Sequence, residues 1–174
     1  MRAFENQMPQ LGKDVYIDPQ ATVIGRVRLG DDVSIWPQAV LRGDVNTITI
    51  GARSNIQDGV ICHVTHDGPY LPGGAPLVVG EEVTVGHGAI LHGATIHDRC
   101  LIGMGAIVLD RAVIESDVMV GAGALVAPGK VLASGYLYVG QPAVAVRALR
   151  DEEIDSLRYS AQHYVGVKNR FNSP

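Results

Sequence analysis

The sequence predicts an all-β fold with a C-terminal helix: a parallel β-helix of six-residue repeats, followed by one helical segment. Three observations carry that reading. Aliphatic residues recur every six positions, glycine is abundant while aromatic rings are scarce, and the period stops where a helical pattern begins. Of 174 residues, 21 are Gly and 9 are Pro, and aromatics supply only 5% against a hydrophobic share of 47%. So much apolar material with so few rings must be repeated Val, Ile, Leu and Ala, and it is too much for a disordered chain. The length allows one sizeable core but not two ordinary domains.

The ruler starts at Ile17, Val23, Leu29, Ile35 and Leu41, with Ala21, Val27, Val33, Ala39 and Val45 four places after each. It slips by three residues, resumes at Ile50, Ile56 and Cys62, breaks, and returns at Val79, Val85 and Leu91. After losing one residue it runs through Ile96, Ile102, Val108, Ile114, Val120, Val126 and Leu132. Gly often follows the aliphatic position directly, as in Leu29-Gly30, Ile50-Gly51, Val79-Gly80 and Val85-Gly86. A helix needs apolar residues three and four apart, and each interior Gly would cost it about 1 kcal/mol. A meander needs turns every ~8–12 residues rather than every six. Short strands joined by tight, Gly-permitted corners, three to a coil of about 18 residues, satisfy the period and stack the aliphatics up one axis.

The repeat domain is expected over residues 1–140. From Cys62 to Val79 is 17 positions where six would serve, so 11 residues are inserted as a long, mobile loop at about 67–77. A linker and helix are expected over 141–174. Asp151 can cap that helix, Glu152 and Glu153 fill its first turn, and Ile154, Leu157, Ala161, Tyr164, Val165 and Lys168 follow at helical spacing. One apolar face means that the helix packs along the outside of the coil. The tail Asn172-Ser173-Pro174 is expected to fray.

The net charge of −4 gives no reason to expect nucleic acid, and no 18-residue apolar run suggests a membrane span. The start has no apolar signal region, and two cysteines, Cys62 and Cys100, read as reduced thiols, so a cytoplasmic protein is expected.

Four of the six histidines, His63, His66, His87 and His92, fall within 30 residues. His63 follows Cys62 and His92 follows Leu91, so both hold the same slot of a repeat. They are 29 residues apart, and removing the 11 inserted ones leaves a single coil. Stacked strands would set them about 4.8 Å apart, a spacing that suits two ligands of one metal. His87 lies five extended residues from His92, roughly 16 Å, far beyond a Zn–N bond of ~2 Å. A neighbouring subunit can bring its own His87 instead, and three subunits close that relation into three equal sites. Three imidazoles leave one coordination position open, the catalytic pattern, and would keep the site cationic enough to lower the pKa of bound water toward ~7. Ordinary solvated histidines are the plain alternative.

The run Arg53-Ser54-Asn55-Ile56-Gln57-Asp58-Gly59-Val60, then His63, Val85-Gly86-His87 and Leu91-His92-Gly93, resembles the gamma-class carbonic anhydrase family in its short bacterial forms. The likeness extends over Gly135-Tyr136-Leu137-Tyr138 and the C-terminal helix. It implies a left-handed β-helix and a homotrimer. It also implies Zn2+, or alternatively Fe2+ or Co2+, bound by His63 and His92 of one subunit and His87 of the next, with hydration of CO2 to bicarbonate there. By the same resemblance Gln57 stands near the metal-bound water, Arg42 and Asp58 match an interfacial ion pair, and Asn55 shapes the corner beside the site. Tyr164 either reaches the site from the helix or packs in the core. Archetypal members carry two proton-shuttling glutamates where this chain has Val45 and His66. That loss implies slow or absent turnover, unless His66, with an unperturbed pKa near ~6.5, takes the role. Two other functions stay open: a hexapeptide-repeat acyltransferase using one catalytic His, and a non-catalytic metal-binding trimer.

Overall fold

The computed structural model describes residues 1–171, so the tail Asn172-Ser173-Pro174 lies outside the described residues. The chain winds as a left-handed parallel β-helix with three walls and ends in one helix. Wall one stacks Tyr16–Ile17, Ser34–Ile35, Asn55–Ile56, Thr84–Val85, Leu101–Ile102, Met119–Val120 and Tyr136–Val139. Wall two holds the first halves of Thr22–Leu29 and Val40–Ile50, then Ile61–His63, Ile90–His92, Ile107–Val108 and Leu125–Val126. Wall three holds Gln10–Leu11, the second halves of those two long strands, and Leu77–Val79, Thr95–Ile96, Val113–Ile114 and Val131–Leu132.

Parallel stacking turns sequence offset directly into register. Ile35 pairs with Ile56, Ile56 with Val85, Val85 with Ile102 and Ile102 with Val120. These inward side chains are almost fully buried, and so are the columns Val23, Leu41, Cys62, Leu91, Val108, Val126 and Ile50, Val79, Ile96, Ile114, Leu132. Burial of that aliphatic ladder is the dominant favourable term for such a fold. It also pushes the thiols of Cys62 and Cys100 up to about 12, which leaves them protonated and unreactive.

The ruler is lengthened twice, and each insertion is a structural device. The three-residue slip is a bulge: Gly25 pairs with Gly43 but Val27 pairs with Ile48, so the residues between leave the wall. Val45, read from the sequence as a repeat position, is therefore 42% exposed. The 11-residue insertion folds back as a hairpin in which Thr65 pairs with Ala75 and Gly68 with Leu71. Leu77, placed at the end of the loop by the sequence, is already in the strand and buried.

Glycine serves in two ways that the sequence does not separate. Gly51, directly after an aliphatic position, lacks room: a Cβ there would meet the Gly80 backbone at 2.4 Å. Gly88, three positions after Val85, instead has a φ of 66° with open space around it. Along the edge between walls three and one, that left-handed position is held by charged residues: Asp14, Asp32, Arg53, Glu82, Arg99 and Asp117. They pair along the edge, Arg53 with Glu82 at 3.1 Å and Arg99 with Asp117 at 2.7 Å.

The helix spans Asp151–Phe171 and buries Leu157, Ala161 and Lys168. Its start differs from expectation: the Glu153 carboxylate reaches back to the Arg150 N–H at 2.9 Å, which makes Arg150 the cap residue and Glu153 its partner. Asp151 merely opens the first turn. Lys168 Nζ sits 2.8 Å from Asp32, which fastens the far end to the coil. The stretch read as a plain linker contains a strand, Val144–Ala148, antiparallel to Tyr136–Val139. Among the described residues no helix is long and apolar enough to cross a membrane.

Candidate functional site

The site residues fall at the two edges of wall two. At the edge shared with wall three, His63 and His92 are cross-strand partners in register, because Leu91 pairs with Cys62 and Ile90 with Ile61. Their side chains leave the wall on its outer side, like those of Ile61 and Ile90, since alternate residues of a strand face opposite ways. Arg42 holds the same slot one coil earlier, as Leu41 pairs with Cys62. At the other edge, Asp58 and His87 share a slot on successive coils, with Gln57 beside Asp58.

His63 Nδ1 and His92 Nε2 lie 3.0 Å apart. The remaining ring nitrogens face carboxylates: His63 Nε2 is 3.0 Å from Asp44 Oδ1, and His92 Nδ1 is 3.0 Å from Asp110 Oδ1. Burial pushes the Asp44 carboxyl up, but hydrogen bonds from Arg42, His63 and the Val45 N–H outweigh that and hold it down to about 2. An ionised Asp44 can only accept, so His63 donates from Nε2 and keeps its lone pair on Nδ1. Asp110 acts on His92 in the same way, leaving the lone pair on Nε2. Two lone pairs therefore face each other, an arrangement that needs a cation or a proton between them. The 3.0 Å gap is close to the roughly 3.3 Å between two nitrogens at tetrahedral Zn2+ with bonds of about 2.0–2.1 Å.

At the second edge, His87 Nδ1 is 2.9 Å from Asp58 Oδ2, and both side chains are half exposed. Donation to Asp58 leaves the His87 lone pair on Nε2. Gln57 Nε2 donates to Asn55 Oδ1 at 3.1 Å, and Asn55 in turn donates to Thr84 Oγ1 at 3.0 Å. Tyr164 comes from the helix and stacks edge-on against Trp36 at 5.7 Å. Burial and the charge of Asp58 raise its pKa. Gln57, His87 and Tyr164 line one end of a groove of about 430 Å3 whose length is apolar, along Leu101, Met104, Met119 and Leu137.

Within one chain, then, Arg42 pairs with Asp44 and Asp58 pairs with His87. His66 is exposed on the hairpin, its ring folded over Gly68. Among the described residues of one chain, no three His, Cys, Asp or Glu side chains converge as a ligand set. The sequence did not single out Asp44 or Asp110, although Asp110 lies 18 residues beyond His92, one coil on the same ruler. Each of the three histidines thus has an aspartate on one ring nitrogen: Asp44 on His63, Asp110 on His92 and Asp58 on His87.

A model of the bacterial transferase hexapeptide family (six repeats) matches residues 8–43 and 93–128. Protein YrdA of Escherichia coli is 55% identical over 98% of this chain and 93% of its own length. The mitochondrial gamma carbonic anhydrase 2 of Arabidopsis thaliana is 43% identical over 96% of this chain, which spans 59% of that protein. A crystal structure of a hexapeptide transferase family protein from Anaplasma phagocytophilum superposes with a TM-score of 0.90 at 38% identity, covering 98% of this chain and 96% of that one. On this sequence likeness and this fold, the chain belongs to the gamma-class carbonic anhydrase family.

Proposed function

We propose that the protein is a homotrimer that hydrates CO2 reversibly to bicarbonate at three metal sites, each completed across a subunit interface. The carrying observation is the division of the site into halves at opposite edges of one wall. The outer face of wall two is aliphatic, with Val40, Ile61, Ile90, Ile107 and Leu125 in one partly exposed ladder, while the C-terminal helix packs on wall one instead. The two edges of wall two carry His63 with His92, and His87. Three such walls, closed edge to edge around a threefold axis, would bury the ladders and bring each His87 to a neighbour's histidine pair.

Zn2+, or Fe2+ or Co2+ in its place, would act there as a Lewis acid that activates water for attack on CO2. The protein's own groups supply the rest. The facing nitrogens of His63 and His92 are preset by Asp44 and Asp110, and His87 by Asp58. Gln57, held by Asn55, offers an amide to orient water or bicarbonate. The apolar groove beside His87 and Gln57 suits an uncharged gas. Arg42 and Asp58, at opposite edges, would pair across the interface. His66, exposed on the hairpin, is the proton carrier we assign in place of the missing glutamates.

The test is stopped-flow hydration with a pH indicator on metal-loaded trimer. A rate well above that of His92→Ala supports the reading, and an equal rate rejects it. Acyl transfer is the second reading, favoured by the hexapeptide transferase match. Calorimetric binding of coenzyme A, unchanged by chelation, would favour it, while metal retention without hydration would point to a non-catalytic trimer.

A further inference from the structure

Both insertions into the six-residue ruler converge on the histidine pair. The bulge places Asp44 on His63. The hairpin places Thr65 on Asp110: Thr65 Oγ1 donates to Asp110 Oδ1 at 2.9 Å, the same oxygen that faces His92 Nδ1. The two insertions are also tied to each other, since Asn46 Nδ2 donates to the Thr65 carbonyl at 3.0 Å. Beneath the carboxylate lies Gly93, with a φ of 55°, where a Cβ would meet Asp110 Oδ1 at 2.2 Å and Ala75 Cβ at 2.7 Å. At the hairpin's tip, Arg111 Nη2 donates to the Pro72 carbonyl at 2.8 Å. The Asp110 carboxylate is thus boxed by a glycine, a hydroxyl and the hairpin base.

From this we infer that Asp110 is a positioning residue for His92, and that Thr65 and the inserted hairpin exist to hold it. Asp110 fixes His92 as the Nδ1–H tautomer and turns Nε2 toward His63; Thr65 fixes Asp110. The inserted segment is accordingly a clamp on a ligand rather than a passive surface loop. An outer carboxylate of this kind makes an imidazole more basic and sets its ring plane. The inference rests on the metal reading above, but its tautomer component stands without metal.

Two measurements on the full trimer test it. In metal-free protein, long-range 1H–15N spectra of histidine-labelled chains should show His92 as the Nδ1–H tautomer. Asp110→Ala and Thr65→Val should shift it toward Nε2–H, and Thr65→Ser should restore it. In chelator competition with Zn2+, Asp110→Ala should bind about 10–100-fold more weakly, Thr65→Val by a smaller factor, and Thr65→Ser like the parent. The visible spectrum of the Co2+ form should change in the first two variants only. An unchanged tautomer overturns the inference whatever the metal result. A parent that binds Zn2+, with Asp110→Ala binding equally and giving the same Co2+ spectrum, also overturns it while leaving the metal reading intact. A parent no better than His63→Ala removes the metal reading, and the tautomer measurement then decides the positioning role alone. Should Asp110→Ala fail to fold, the Thr65 pair carries both tests.

Discussion

Walls one and two are built from the same repeat, yet where the helix lies on wall one their outer faces are inverted. On four of its coils wall one presents Tyr16, Ser34, Asn55 and Thr84 outward, and all four are buried, because the C-terminal helix lies on them; farther along, the same column is Leu101, Met119 and Leu137, which line the apolar groove. Their polar atoms are hydrogen-bonded: Trp36 donates to Ser34 at 3.0 Å, and Thr84 meets Ser160 of the helix at 3.1 Å. Wall two presents aliphatic side chains outward, and Ile61 is 45% exposed. The part of wall one that the helix covers is polar and satisfied, whereas the outer ladder of wall two is apolar and partly exposed. A buried polar face needs the fixed partners that one chain can supply, while an exposed apolar face is a demand for another molecule. The histidines proposed as ligands stand at the edges of wall two.

The sharpest way to break this contrast is His87→Ala. It should empty the metal site although His63 and His92 still face each other, as metal analysis of the purified trimer would show. Next in size, Ile61→Lys places a charge in the middle of wall two. Sedimentation should find monomers, and metal should be lost with all three histidines intact, because a lysine in a dry interface is unpaired. The matching change on wall one, Thr84→Val, should leave oligomer and metal untouched. Leu157→Ala, under the helix, should lower unfolding stability by about 2–4 kcal/mol in urea titration without dissociating the trimer.

The smallest effect concerns acid. The hydrogen bond from Arg147, then the Arg150 N–H, holds Glu153 down to about 2 from an ordinary 4.5. A carboxyl depressed on folding stabilises fully above its unfolded pKa and loses that contribution as pH falls through the folded one. Helical circular dichroism should therefore loosen between pH 4.5 and about 2 while the β signal holds, and Glu153→Gln should remove the step.

How much of this was legible follows from the geometry. In a parallel coil, offset is register, so counting alone placed His63 over His92 and set His87 apart. The same count reaches Asp110, but only a structure shows that its carboxylate turns down over Gly93 onto His92. Asp44 was hidden because it lies in the bulge, where the period gives no direction. The charged edge was illegible for another reason: Arg53, Glu82 and Arg99 adopt left-handed backbone that their residue types do not announce. The strand Val144–Ala148 escaped because all five of its residues are exposed, which leaves no alternation to read.

The central claim is that each site is shared between chains, and mixing two inactive variants tests it most directly. His87→Ala and His63→Ala each remove one ligand from every site of their own trimer. Chains of the two kinds, unfolded together and refolded, should form mixed trimers in which one interface joins an intact histidine pair to an intact His87. Metal analysis of those mixed trimers should find one tightly bound ion per trimer, where neither parent variant holds any. Mixed trimers as empty as their parents would contradict the shared site.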